Sequence, residues 1–267
     1  MAKLVAGTLG HSIALLSDSV NSLGDAAASC VALISLWYSQ KPADSTHPYG
    51  HMRAEAVGAL TISTLIVVSA LLIGWEAMQH LGQDHLVPPA WTLWVAGANV
   101  VIKELLYQFT ARAGRKTGSR TIVANAWDHR SDALCSLGAM VGLLGVRYGG
   151  PQMLWFDEAA ALFIVAIIIL GGIKLYADSA SDLMDRQAGE SFTRQIRNAA
   201  LEVPGVQDVE KLWMRKAGLE YLIDIHIEVD PCMEVRLGHE IGHAVQDVLQ
   251  QRFPRVRAVL VHLEPHS

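Results

Sequence analysis

The sequence predicts a helical membrane protein that ends in a small α+β domain. Three observations carry this expectation. The 267-residue chain is 51% hydrophobic and only 18% charged, where a soluble domain carries about 25% charged residues. Its charge is segregated: residues 54–80 hold no Lys or Arg, whereas 185–220 are dense in both signs. Five apolar stretches also reach the roughly 20 residues that a bilayer-spanning helix needs.

In chain order these stretches are Ser12–Tyr38, Ala54–Leu81, Ala90–Thr110, Thr121–Tyr148 and Asp157–Tyr176. The first and fourth are less apolar because they carry Asp and Asn. Met1–Gly10 is apolar but too short to span, and it reads as the end of a further helix that begins before this chain. Its single basic residue and missing cleavage site make it a poor signal peptide. Loop charge sets the orientation. Ala111–Arg120 holds Arg112, Arg115, Lys116 and Arg120, so it is expected on the cytoplasmic side, whereas Gly82–Pro89 holds no Lys or Arg and is expected outside. Ser39–Arg53 and everything after Tyr176 are then cytoplasmic. Trp91, Trp94, Tyr148 and Trp155 read as interfacial anchors at the outer boundary.

Beyond about Asp185 the periodicity changes. Glu190–Glu202 reads as a helix ended by Pro204 and Gly205. Gln207–Arg215 and Tyr221–Val229 alternate like strands around a turn at Lys216–Gly218, Glu234–Gln251 reads as an amphipathic helix, and Ala258–Leu263 as a last strand. The order αββαβ suggests helices on one face of one sheet. Residues 1–180 are expected to form the membrane domain and 185–267 the cytoplasmic one.

Several function classes are excluded. A net charge of −5 argues against a nucleic-acid partner, and the absence of a GxxxxGK[ST] loop argues against ATP as the energy source. Cys30, Cys135 and Cys232 form no CxxC pair and read as packing residues. No prosthetic group is called for.

The chemistry is expected inside the membrane, where ionisable groups are costly and mark a transport path or binding site. Asp18, Asn21 and Asp25 follow i, i+3, i+7 and share a helix face, and Asp128 and Asp132 share a face at i, i+4. Two helices that each present such a pair can enclose one cation with four oxygen ligands. The segments NSLGDAAAS (21–29) and DHRSDALCS (128–136) are also alike, which puts the pairs in equivalent positions of a short repeat. Asp18 lies a turn outside the pair, as a packing or entry-path residue. His129 lies one position off the ligand face, and Lys103 and Glu104 read as paired or snorkelling charges.

Three segments resemble the cation diffusion facilitator family: ALLSDSVNSLGD (14–25) is similar to its second helix, PADSTHPYGHMRAE (42–55) to its first cytoplasmic loop, and NAWDHRSD (125–132) to its fifth helix. The resemblance runs over the whole chain. It implies six transmembrane helices, of which only the end of the first is present here, and a ferredoxin-like cytoplasmic domain. It also implies a homodimer in the lipid bilayer of the cell membrane and exchange of a divalent metal for protons. It puts the transport site at Asn21, Asp25, Asp128 and Asp132. Zinc-type members usually place His in one of these pairs. Oxygen-only sets suit manganese, with iron(II) next and then zinc, cobalt or cadmium. The resemblance further implies a loop metal site at Asp44, His47 and His51, and a regulatory site between protomers at His226, His239, His262 and Glu264, which His243 could join. Arg53 and Asp185 match a family salt bridge. Beside secondary active export, a non-transporting metal sensor or partner subunit remains open. A membrane metalloenzyme ranks last, because no nucleophile accompanies the oxygen ligands.

Overall fold

The computed structural model describes residues 13–80, 91–149 and 154–266, with the side chains of 13–25 and of a few helix-end residues excepted. The expectations for Met1–Gly10, for the loop Gly82–Pro89, and for the side chains of Trp91, Tyr148 and Trp155 lie outside the described residues. Five long helices come first: α1 Ile13–Ser39, α2 Ala54–His80, α3 Trp91–Thr117, α4 Arg120–Gly149 and α5 Leu154–Leu183. They are followed by α6 Glu190–Leu201, β1 Asp208–Ala217, β2 Glu220–Val229, α7 Val235–Arg252 and β3 Val256–Pro265. Each expected span therefore coincides with one helix.

The chain folds as two units. The first holds Met1–Gln40 with Val57–Ser179, and the second holds Lys41–Ala56 with Ala180–Ser267. In the first, small and branched residues from four helices close a core of Ala32, Ala59, Ile62, Ile66, Ala70, Ala124, Val165 and Ile168. Gly171 on α5 admits the Trp127 ring: a Cβ there would meet Trp127 Cζ2 at 2.1 Å. Large apolar side chains nonetheless face outward along these helices, among them Leu33, Trp37, Leu72, Trp75, Leu105, Phe109, Phe163 and Leu170. A water-soluble monomer rarely exposes apolar patches of this extent, whereas lipid covers them at no cost and leaves helices as one of the few structures that satisfy their own backbone. Among the described residues, Ala54–Gln79 and Ala161–Leu183 are long and apolar enough to cross a membrane. The helices that carry Lys103, Asp128 and Asp132 are more polar because of those same groups.

The second unit is built the opposite way, with its apolar residues inside. β2 stands between β1, which pairs antiparallel, and β3, which pairs parallel. Strand alternation turns Ile223, Ile225 and Ile227 to one face, where Ile196, Ala199 and Ala200 of α6 and Ile241, Val245 and Leu249 of α7 cover them. This is the expected αββαβ sandwich, with helices on one side only. The other face of the sheet is not covered by α6 or α7, and it carries His226, His262 and Glu264.

Two features bind Lys41–Ala56 into this unit. Gly218 turns β1 into β2 at φ +61, and a Cβ there would lie 2.5 Å from the Met52 carbonyl oxygen, so both the turn and the close approach require glycine. The expected Arg53–Asp185 salt bridge is also present, and Arg53 Nη1 donates to the Leu183 carbonyl at 3.0 Å.

Candidate metal sites

Asp128 and Asp132 lie one turn apart on α4, both partly buried. Asn21, Asp25 and Asp18 lie within α1, with side chains outside the described residues. α3 packs along α4, and three side chains spaced four apart reach across. Asn99 Nδ2 donates to Ser136 Oγ at 2.7 Å, Lys103 Nζ to Asp132 Oδ2 at 2.6 Å, and Arg130 Nη1 to the Tyr107 hydroxyl at 2.8 Å. Arg130 also stacks over the Tyr107 ring, 4.5 Å from its centroid. Lys103 is thus paired, and its partner is a candidate cargo ligand. Glu104 instead accepts from Gln108 on the exposed side of α3. The 99, 103, 107 spacing is legible in the sequence as a polar stripe on an apolar helix. Its partners are not.

The loop cluster is preorganised by hydrogen bonds. Asp44 Oδ1 accepts from the Thr46 hydroxyl at 2.8 Å and from the backbone N–H groups of Thr46 and His47 at 2.9 and 2.7 Å. These bonds, with the Thr46 hydroxyl foremost, hold the Asp44 carboxyl well below the usual carboxylate range. His51 is buried, its Nδ1 lies 3.2 Å from the Pro42 carbonyl, and its Nε2 faces Asp44 Oδ2 at 3.4 Å. The His47 and His51 rings stand 4.4 Å apart. One ligand atom from each of Asp44, His47 and His51 lies within 4.8 Å of the others. A carbonyl on the far nitrogen of a ligating imidazole is the usual support for such a site.

The uncovered face of the sheet carries a second triad. His226 on β2 stands opposite His262 on β3, because β2 alternation that buries Ile225 and Ile227 must turn His226 outward. Glu264 Oε1 lies 3.1 Å from His226 Nδ1 and 3.3 Å from His262 Nε2. Lys211 lies beside this row with its ammonium pKa raised by the hydrogen bond it gives Glu210. His239 lies apart from this triad. It sits on the exposed side of α7, across the helical layer, with its Nε2 3.1 Å from that of His243. The four residues expected at the regulatory site therefore separate into a triad on the sheet and His239 on the helix, where it pairs with His243.

A helical unit clad in apolar side chains, holding partly buried carboxylates, and a polar unit bearing two His–carboxylate triads together define a membrane protein fitted to handle metal cations. The sequence profile of the Cation efflux transmembrane domain matches residues 1–184, and that of the Cation efflux protein cytoplasmic domain matches residues 189–266. The chain belongs to the cation efflux family, the cation diffusion facilitators, whose members are transporters embedded in membranes and not enzymes.

Metal tolerance protein C1 of Arabidopsis thaliana is 36% identical over 281 residues, covering 99% of this chain, and the chain spans 59% of that protein's length. Magnetosome protein MamM of Magnetospirillum gryphiswaldense is 32% identical over 98% of this chain and 82% of its own. Manganese efflux system protein MneP of Bacillus subtilis is 27% identical over 99% and 90%. Among solved structures, the MamM C-terminal domain is 35% identical over 29% of this chain and 98% of its own, with a TM-score of 0.28.

Proposed function

We propose that this chain is a secondary active exporter of divalent metal cations, with manganese as its first substrate and iron(II), zinc, cobalt and cadmium as lesser ones. Asn21, Asp25, Asp128 and Asp132 hold the cargo. Protons exchange for it at the three carboxylates, across the cell membrane, in a homodimer whose C-terminal domain is cytoplasmic. The observation that carries this reading is the Asp128–Asp132 pair. Both lie inside a helix of the membrane unit, and Asp132 is 21% exposed and already engages a cation, the Lys103 ammonium. A carboxylate placed in that setting is retained for a cation. The similarity to a manganese efflux protein supports the choice of metal, as does a ligand set without imidazole or thiolate. The triads Asp44/His47/His51 and His226/His262/Glu264 are read as metal sites that sense the cytoplasmic concentration, with His239 and His243 as a further pair.

The test is metal uptake into inverted vesicles. Asp25→Ala and Asp132→Ala should each abolish manganese transport while the protein stays folded and membrane-inserted, and transport near the wild-type rate by either variant removes the assignment. Asp128→His should shift the ratio of zinc to manganese transport toward zinc. An unchanged ratio, or a wild type that strongly prefers zinc, removes manganese as the first substrate.

A further inference from the structure

We infer that Lys103 is a tethered stand-in for the cargo: its ammonium occupies Asp132 when the site holds no metal, and a divalent ion loads by displacing it. The inference rests on Asp132 being a cargo ligand. Lys103 lies near the middle of the 27-residue α3. A lysine in an apolar helix normally extends toward the membrane surface. This one instead points across to α4, with Nζ 2.6 Å from Asp132 Oδ2 and side-chain exposures of 17% and 21%. The contacts Asn99–Ser136 and Tyr107–Arg130 hold the two helices in register on either side of it. The lysine is thus delivered to one carboxylate by the architecture of the helix pair.

A fixed strut would not serve a transport ligand. An ammonium and a divalent ion on the two oxygens of one carboxylate would stand only about 4–5 Å apart, where a +1 and a +2 charge repel strongly at low dielectric. Either the lysine leaves when metal arrives, or Asp132 does not ligate metal. The four-carbon stem permits departure, since Lys is a compact charge on a flexible chain while Arg is a rigid planar fork. The exchange has two effects. The carboxylate is never left bare between cargo ions, and the returning ammonium favours metal release, so affinity is lowered in favour of turnover.

The experiment measures equilibrium binding of Mn2+ alone to the whole chain in detergent, with His51→Ala and His262→Ala silencing the two triads. Lys103→Met should bind Mn2+ about tenfold tighter than the parent. Lys103→Ala should do likewise, and added propylammonium should weaken Mn2+ binding to it but not to the parent. Unchanged or weaker binding by folded Lys103→Met, or no effect of the amine, makes Lys103 a strut and overturns the inference. If both variants fail to fold, the parent carries the test by mass spectrometry: saturating Mn2+ should raise acylation of Lys103, and unchanged labelling overturns the inference. Asp132→Asn separates the two levels. If it binds Mn2+ undiminished, the site assignment itself fails. If it loses binding while the Lys103 variants match the parent, only the displacement step fails.

Discussion

Arg53 and Asp185, 132 positions apart, form an ion pair in which Asp185 adopts the left-handed backbone conformation at φ 58. Both side chains are about half exposed, so the pair itself is worth at most about 1 kcal/mol. Arg53→Ala should cost that much. Asp185→Ala should cost about 1 kcal/mol more, because alanine resists positive φ, and Asp185→Gly should restore the difference. Thermal melts of the purified protein give the ranking, and equal melts for Asp185→Ala and Asp185→Gly would remove the backbone argument.

Gly218 should tolerate no side chain. Its positive φ costs alanine about 1 kcal/mol, and the Met52 carbonyl oxygen at 2.5 Å from a built Cβ adds a clash with backbone, which cannot rotate away. The expected outcome for Gly218→Ala is a loss of about 2 kcal/mol or more, read in a denaturant titration. Gly189→Ala is the control, since nothing lies within 4 Å of its Cβ position.

The sheet triad should couple metal to stability. If His226, His262 and Glu264 bind Mn2+ or Zn2+ only in the folded state, a hundredfold excess of ion over its Kd raises stability by about 2.7 kcal/mol. His262→Ala should remove most of that gain without changing the metal-free melting temperature much, because His262 is exposed. A melting temperature indifferent to both ions would exclude the triad as a site.

Asp208 should make the second unit acid-sensitive. The Val209 backbone N–H bonded to its carboxylate is the main cause lowering its pKa, with Arg197 assisting. A group whose folded pKa is depressed stabilises the fold above its unfolded value, near 3.9, and that contribution is lost as pH falls through the folded value. Asp208→Asn should therefore melt below wild type at pH 7, and the gap should close as pH drops below about 4. A gap independent of pH would assign the effect to packing.

The C-terminal part of the second unit, from α6 to β3, was legible in the sequence almost residue by residue. The boundaries of α6, β1, β2, α7 and β3 fall within a few residues of where alternation and helical spacing put them, because its elements bury one face and solvate the other. Strand parity accounts for His226 on the open face, although the sequence pointed to it only through the family resemblance. Periodicity could not place His239 relative to the others, because it assigns a residue to a face of its own helix and says nothing of which layer that helix occupies. The same limit hid the partner of Lys103. Its position four residues from both Asn99 and Tyr107 marks a stripe, but the sequence does not state which helix lies opposite. Nor did it show that Lys41–Ala56 folds with the C-terminal residues, since the Met52 carbonyl over Gly218 is a contact between segments 166 positions apart.

That contact has a practical consequence for anyone who would cut this protein in two. A fragment starting after α5 contains β1, β2 and β3 but leaves behind the Met52 carbonyl that lies close over the hairpin turn and the guanidinium that pairs with Asp185. Its hairpin tip would be newly wetted, and its melting point would understate that of the intact unit. The Asp44, His47 and His51 cluster on the loop would be lost with it. The natural seam of the molecule does not run between two stretches of chain. It crosses the sequence three times, after Gln40, Ala56 and Ser179, and a faithful excision would have to splice the loop back on.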